Sequence, residues 1–155
     1  MKNNIKFLFS YFFCTIFKVG NIKFMPGTLG SIIGLFFGII FKIYLPITIY
    51  ILIIILIILM AIISIDIYQN RVGKEDKSEI IIDEFIGQQI PLFFIELTTF
   101  NILLCFFFFR FFDILKIYPS NYIDKNFKNS YGIISDDIIA GIQALLIIYL
   151  IHFFI

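Results

Sequence analysis

At 155 residues, 61% apolar and 15% charged, the chain carries more apolar surface than one small core can hide; an ordinary soluble domain is about 45–50% apolar and about 25% charged. Its mean hydropathy of +1.02 excludes an ordinary soluble globule. A formal net charge of +1 excludes a broad basic face for nucleic acid. Charged blocks alternate with apolar runs, which predicts one membrane domain over residues 1–155 with its charge confined to loops.

The amino terminus sets Lys2 and Lys6 before an apolar run from Phe7 to Phe17 with no small-residue cleavage site after it, so it reads as a retained helix at the membrane interface. Cys14, within this run, and Cys105 read as buried small hydrophobes, not a disulfide framework. Cys105 and Arg110 fall one residue short of the CxxxxxR loop of cysteine phosphatases and lack its glycines. Next, Pro26 and Gly27 break the chain and Thr28 offers a cap for an apolar helix from Leu29 to Tyr44. Gly34 and Gly38 lie four apart on it, which suits either close helix packing or plain tolerance of glycine in a membrane helix. Pro46 marks a turn, and the nineteen residues Ile47–Ile65 just cross a hydrocarbon core of about 30 Å.

Residues 66–84 form the long polar stretch; Arg71, Lys74 and Lys77 place it in the cytoplasm, on the same side as Lys18 and Lys23. The block from Phe85 to Phe112 is interrupted by Glu96, Thr98, Thr99 and Asn101. A charge at mid-bilayer costs at least about 2.5–3.5 kcal/mol. A single crossing would also put Arg110, Lys116, Lys125 and Lys128 outside, against the charge rule. Both conflicts vanish if the block is two short antiparallel helices, Phe85–Ile95 and Ile102–Phe112, with residues 96–101 turning at the far side. Each is short for a full span, so other helices, or a second subunit of a homo-oligomer, would shield them. The loop Asp113–Asp137 returns to the cytoplasm and Ile138–Ile155 is the last span. The fold class is therefore an all-α polytopic bundle with short helices and its acids on the cytoplasmic side.

Those acids are Asp83 and Glu84, Asp113, and Asp136 with Asp137, each at the junction of a polar loop and an apolar helix, where a lipid headgroup would lie. Carboxylate oxygens are hard ligands suited to Mg²⁺, which keeps waters and takes substrate phosphate. All five are candidate metal ligands, with Asp83 or Asp137 as the catalytic base for an attacking water. Asp83 and Gly87 share an acid-then-glycine spacing of four with Asp137 and Gly141, which lets backbone or phosphate approach one turn beyond each acid. Arg110, Asp113 and Lys116 share one side of a helix end, either as ordinary solvated ion pairs or with the two cations gripping phosphate. The helix start at Gly27 and Thr28 offers backbone N–H groups as a further phosphate contact. His152 reads as an interfacial residue, which leaves histidine-dependent chemistry without a candidate, and the DxD signature of aspartyl-phosphate enzymes is absent.

PGTLGS at 26–31, DEFIG at 83–87, FRFFDILK at 109–116 and YGIISDDIIAG at 131–141 resemble, in order and spacing, the motifs of the phosphatidylglycerophosphatase A family. The resemblance implies a Mg²⁺-dependent enzyme of the bacterial cytoplasmic membrane, acting on the phospholipid phosphatidylglycerophosphate. It also assigns the acidic positions to Asp83, Glu84, Asp113, Asp136 and Asp137 and the basic ones to Arg110 and Lys116. Ile117 stands where the family has proline, and Gly132 is alone where a glycine pair is expected near Asn129 and Ser130; these departures touch loop shape, not the acids. Two other readings are a transporter or channel component using Glu96, and a CDP-alcohol phosphotransferase. The acids cluster at one interface instead of stringing across the membrane, and the phosphotransferase pattern of acids and glycines on one helix is not present.

Overall fold

The computed structural model describes residues 2–73 and 78–154, all of its regular structure helical. Lys74 and Lys77, which carry part of the cytoplasmic charge of the polar stretch, lie outside the described residues. The α-helices are α1 (Lys2–Cys14), α2 (Pro26–Tyr44), α3 (Ile47–Val72), α4 (Ile82–Phe94), α5 (Thr99–Leu115), α6 (Ser120–Asn126) and α7 (Ser130–Phe154). Three of them, α2, α3 and α7, are long and apolar enough to cross a membrane. Large apolar side chains such as Phe36, Leu52, Leu56, Leu103 and Leu146 face outward from the bundle, as expected where the surroundings are lipid and not water.

The hairpin expected from the interrupted block is present. Helices α4 and α5 are joined by residues 95–98, and Thr98 caps α5 by accepting from the Asn101 N–H. Glu96 sits exposed on that turn, at the tip of the hairpin and not midway along a helix. Thirteen residues make α4 about 20 Å long, short of a core of about 30 Å. The far end of α4 is closed by Lys42 of α2, whose Nζ donates to the carbonyls of Leu92 (2.9 Å), Phe93 (3.0 Å) and Ile95. A cation there satisfies the orphan carbonyls of a helix C-terminus and complements its dipole.

Several boundaries differ from the sequence expectation. Helix α2 begins at Pro26, with Met25 as N-cap, so Thr28 lies inside the helix and is not its cap; proline is pre-set for a first helical position and lacks only an N–H that would be unpaired there. Helix α3 continues past Ile65, to Val72. Its polar tail is held by tertiary contacts: Tyr68 stacks on Phe7 and Tyr11, Gln69 donates to the Lys128 carbonyl, and Arg71 donates to Asn4. The loop expected over 113–137 contains α6 and the start of α7. Asn129 supplies the cap for α7, its side-chain oxygen accepting from the Gly132 N–H at 3.0 Å, so the missing glycine pair has become a capped helix start. Asp113 therefore lies within α5, and Asp136 and Asp137 lie in the second turn of α7.

The core forms where α4 is gripped by α2 on one side and α7 on the other. Gly27, Gly30, Gly34 and Gly38 line the contact face of α2; a Cβ on Gly34 would come within 2.8 Å of the Phe85 carbonyl oxygen. The Gly34–Gly38 spacing thus serves close packing. Gln89 of α4 reinforces it, donating to the carbonyls of Gly34 (2.8 Å) and Phe85 (3.0 Å) and accepting from Tyr50 Oη at 2.7 Å. On the other side, a Cβ on Gly141 would lie 2.5 Å from the Gly87 carbonyl oxygen, and one on Gly87 would lie 2.8 Å from that of Asp137. The paired acid-then-glycine spacing marks the crossing point of α4 and α7: backbone, not phosphate, fills the gap one turn beyond each acid.

Candidate active site

Since α4 and α7 cross at their glycines, the acids one turn earlier on each helix must be neighbours. Asp83, Glu84 and Asp137 each offer a carboxylate oxygen within 4.8 Å of the other two. Asp83 and Asp137 are 8% and 3% exposed. Glu84 Oε2 and Asp137 Oδ2 are buried with no hydrogen-bond partner. Three converging carboxylates, two of them with orphaned oxygens, form an anionic hole that is costly by itself and is relieved by a bound cation. The all-oxygen donor set suits Mg²⁺, so the residues present fit the ion that the sequence motifs imply.

The other two acids stand beside this cluster with cations of their own. Asp113 pairs with Arg110, and Asp136 Oδ2 accepts from Lys116 Nζ at 2.9 Å. Arg110 also donates to Ser31 Oγ at 3.3 Å, while Ser31 donates to the Gly27 carbonyl at 2.9 Å. A Cβ on Gly27 would collide with Glu84 Oε1 and lie 3.2 Å from an Arg110 guanidinium nitrogen. Gly27 therefore matters because it leaves room for Glu84 and Arg110.

The five acids, Arg110 and Lys116 all line one cavity of about 240 Å³ at this end of the bundle, and Thr28 does not. Ser78, Asp124 and Lys128 complete its polar wall, and sequence reading missed all three, along with Ser31. Ser31 lay within the PGTLGS motif and could have been picked for its hydroxyl. Asp124 had no motif to mark it; only the fold of α6 over the site brings its carboxylate to Lys116, at 2.7 Å. Burial alone would raise the Asp124 pKa, but the hydrogen bond and charge of Lys116, with help from Lys128, outweigh it and hold the carboxyl below its ordinary value. Burial opposes the charge on Lys116, and its bonds to Asp124 and Asp136 more than reverse this, holding its pKa above the ordinary value.

At the opposite end, His152 Nε2 lies 2.7 Å from Asn101 Oδ1 and Tyr149 Oη donates to the Phe94 carbonyl. That places the histidine a full helix away from the acids and outside their chemistry.

A protein-family model described as Phosphatidylglycerophosphatase A matches residues 12–152. The chain belongs to that family. Among curated relatives, it is 40% identical over 83 residues to the phosphatidylglycerophosphatase A of Haemophilus influenzae and 35% identical over 81 residues to that of Escherichia coli. These alignments cover 53% and 52% of this chain and 51% and 47% of the relatives, so the chain spans about half the length of the curated relatives it matches. A Bacteroides thetaiotaomicron relative, 32% identical over 77 residues (48% of each chain), carries a provisional name, phosphatidylinositol-3-phosphatase. No solved structure matches significantly.

Proposed function

We propose that this family member hydrolyses the terminal phosphomonoester of phosphatidylglycerophosphate, giving phosphatidylglycerol and inorganic phosphate. One observation carries the reading: Asp83, Glu84 and Asp137 converge, with buried oxygens of Glu84 and Asp137 left unpartnered, where Arg110 can reach a phosphate held among them. The curated relatives' names share this chemistry, a phosphomonoester on the headgroup of a phosphatidyl lipid.

Asp83, Glu84 and Asp137 would hold Mg²⁺, and Asp113 and Asp136 line the same cavity. When bound, the ion would supply Lewis-acid polarisation of the phosphoryl group and offset the charge on the leaving oxygen. Arg110, aligned by Asp113 and Ser31, grips two phosphate oxygens through its planar fork. Asp83 or Asp137 takes the proton of the attacking water as its oxygen bonds to phosphorus. The bond from phosphorus to the glycerol oxygen breaks, and that oxygen leaves as the alcohol by taking up the proton that the carboxylate removed from the water. The site's position at the ends of membrane-length helices suits a substrate whose acyl chains stay in the bilayer.

We further propose that the site faces the cytoplasm of a bacterial inner membrane. Lys18, Lys23, Arg71, Lys125 and Lys128 all belong to the end of the bundle that carries the acids, as the charge rule requires of a cytoplasmic face. The transporter reading loses its motive, because Glu96 lies on the hairpin turn and not along a path across the bundle.

The test is phosphate release from phosphatidylglycerophosphate by the purified protein in detergent, with Mg²⁺ and with EDTA. Metal-dependent release, lost in Asp137→Asn protein that still inserts and folds, is the expected result. An Asp137→Asn variant as active as the parent would sink the site assignment.

A further inference from the structure

The proposed substrate carries two phosphates of different chemistry. One is the terminal monoester that is cleaved. The other is the phosphodiester that joins the glycerol headgroup to diacylglycerol. The cavity's cations also fall into two groups. Arg110 stands beside Glu84, among the buried acids. Lys116 and Lys128 stand apart from it and approach the same atom, Asp124 Oδ1, at 2.7 and 3.4 Å.

Two ammonium groups converging on one anionic oxygen form an arrangement that would accept a singly charged oxyanion equally well. Depth orders the two groups. The Asp124 and Lys128 side chains are 23% and 49% exposed, whereas Asp83 and Asp137 lie beneath, almost wholly buried. A lipid headgroup entering this cavity leads with its terminal monoester and trails its diester, so the order of depth matches the order of phosphates. Lys116 keeps its bond to Asp136 at 2.9 Å if Asp124 moves aside, so it remains anchored while its other side turns to a ligand.

We propose, on the basis of the phosphatidylglycerophosphate reading of the site, that Lys116 and Lys128 form a second anion subsite, at the mouth of the cavity, which takes the phosphodiester of the lipid. Asp124 occupies that subsite in the free protein and yields its place when the diester arrives. The subsite makes the protein favour lipids whose monoester is one short polyol away from a diester over phosphatidic acid, which has no diester to offer.

The decisive experiment is equilibrium binding of phosphatidylglycerol, which carries the diester without the monoester, to the full chain in mixed micelles. Lys128→Gln should weaken binding about fivefold, the factor an exposed charge contact commands. Lys125→Gln removes the same charge from an exposed position of α6 that does not line the cavity, and should leave binding unchanged. Asp124→Asn removes the internal competitor and should tighten binding, a direction that misfolding cannot produce. Equal weakening in Lys125→Gln and Lys128→Gln would mean general attraction to an anionic micelle and would overturn the subsite. So would an unchanged affinity in Lys128→Gln, or weaker binding in Asp124→Asn. In kinetics, Lys128→Gln should raise KM for phosphatidylglycerophosphate about fivefold at constant kcat and leave KM for phosphatidic acid unmoved. Absence of phosphate release from the parent protein would strike the proposed reaction, while the phosphatidylglycerol comparison would still decide the subsite.

Discussion

Asp137 and Arg110 illustrate how much a single side chain here depends on its partners. Arg110 is held by Asp113 on its own helix and by Ser31 of another, so its guanidinium is already aimed for the phosphate proposed to bind there. Replacing it with lysine keeps the charge but loses the fork and the Ser31 bond; we expect kcat/KM to fall by about tenfold to a hundredfold, measured as phosphate release. Asp124 belongs to the same scale. Its folded pKa is below its unfolded one, so its tie to Lys116 contributes stability above the unfolded carboxylate value and loses it as pH falls through the folded value. Lys116 is shifted upward, so its contribution is present below the unfolded lysine value and is lost only as pH rises through its folded one. Protection of the amides over residues 117–129, taken relative to the intrinsic exchange rate at each pH, should therefore fall as pH is lowered below about 4. Protection unchanged down to about pH 3 would contradict the tie.

At the scale of elements, the site exists because three helices come closer than ordinary side chains permit. The α4–α7 crossing leaves no room for a methyl group on Gly87 or Gly141. Gly141→Ala should destabilise the fold by about 1–3 kcal/mol and lower phosphate release more than any lipid-facing substitution, read from thermal unfolding in detergent and from activity together. The hairpin depends on a different device, the Lys42 cap on the carbonyls that end α4. Lys42→Met should cost about 1–2 kcal/mol by uncovering those carbonyls, while leaving the acids, a helix length away, in place. Loss of activity without loss of stability in that variant would show that the cap acts on the site in some other way.

For the whole molecule, the Mg²⁺ proposed for the acid cluster would offset its buried carboxylates, so its binding should appear as stability. A ligand at about a hundredfold excess over its Kd adds about 2.7 kcal/mol. Thermal unfolding should therefore shift upward with Mg²⁺ and downward with EDTA, and Glu84→Gln should blunt the shift. An identical shift in that variant would place the metal elsewhere. Orientation is testable at the same scale, because Cys14 and Cys105 are both buried and should not react with aqueous maleimide. Cysteines placed at Tyr118 and at Phe100, both exposed and at opposite ends of α5, should label from the cytoplasmic and the outer side respectively. Labelling of both from one side would reject the proposed topology.

Composition and hydropathy determined the membrane-helical class, because apolar surface in this excess cannot be buried in a small globule and backbone polar groups in lipid must pair within helices. The hairpin was legible too: Glu96 in mid-block conflicts with the bilayer wherever it lies except at a turn, and the charges of Arg110, Lys116, Lys125 and Lys128 demand the same return. The acids and Arg110 were legible as candidates from their places at helix ends, and they do line one cavity. Tertiary structure alone decided the rest. The continuation of α3 to Val72 rests on contacts with distant residues, such as Gln69 to the Lys128 carbonyl, which no local propensity encodes. The same holds for the division of the acids. Asp83, Glu84 and Asp137 converge because Gly87 meets Gly141, and Asp113 and Asp136 are taken by Arg110 and Lys116. Asp124 enters the site only because α6 folds across its mouth. Spacing along a chain orders residues on one helix, but only packing brings two helices to a common point.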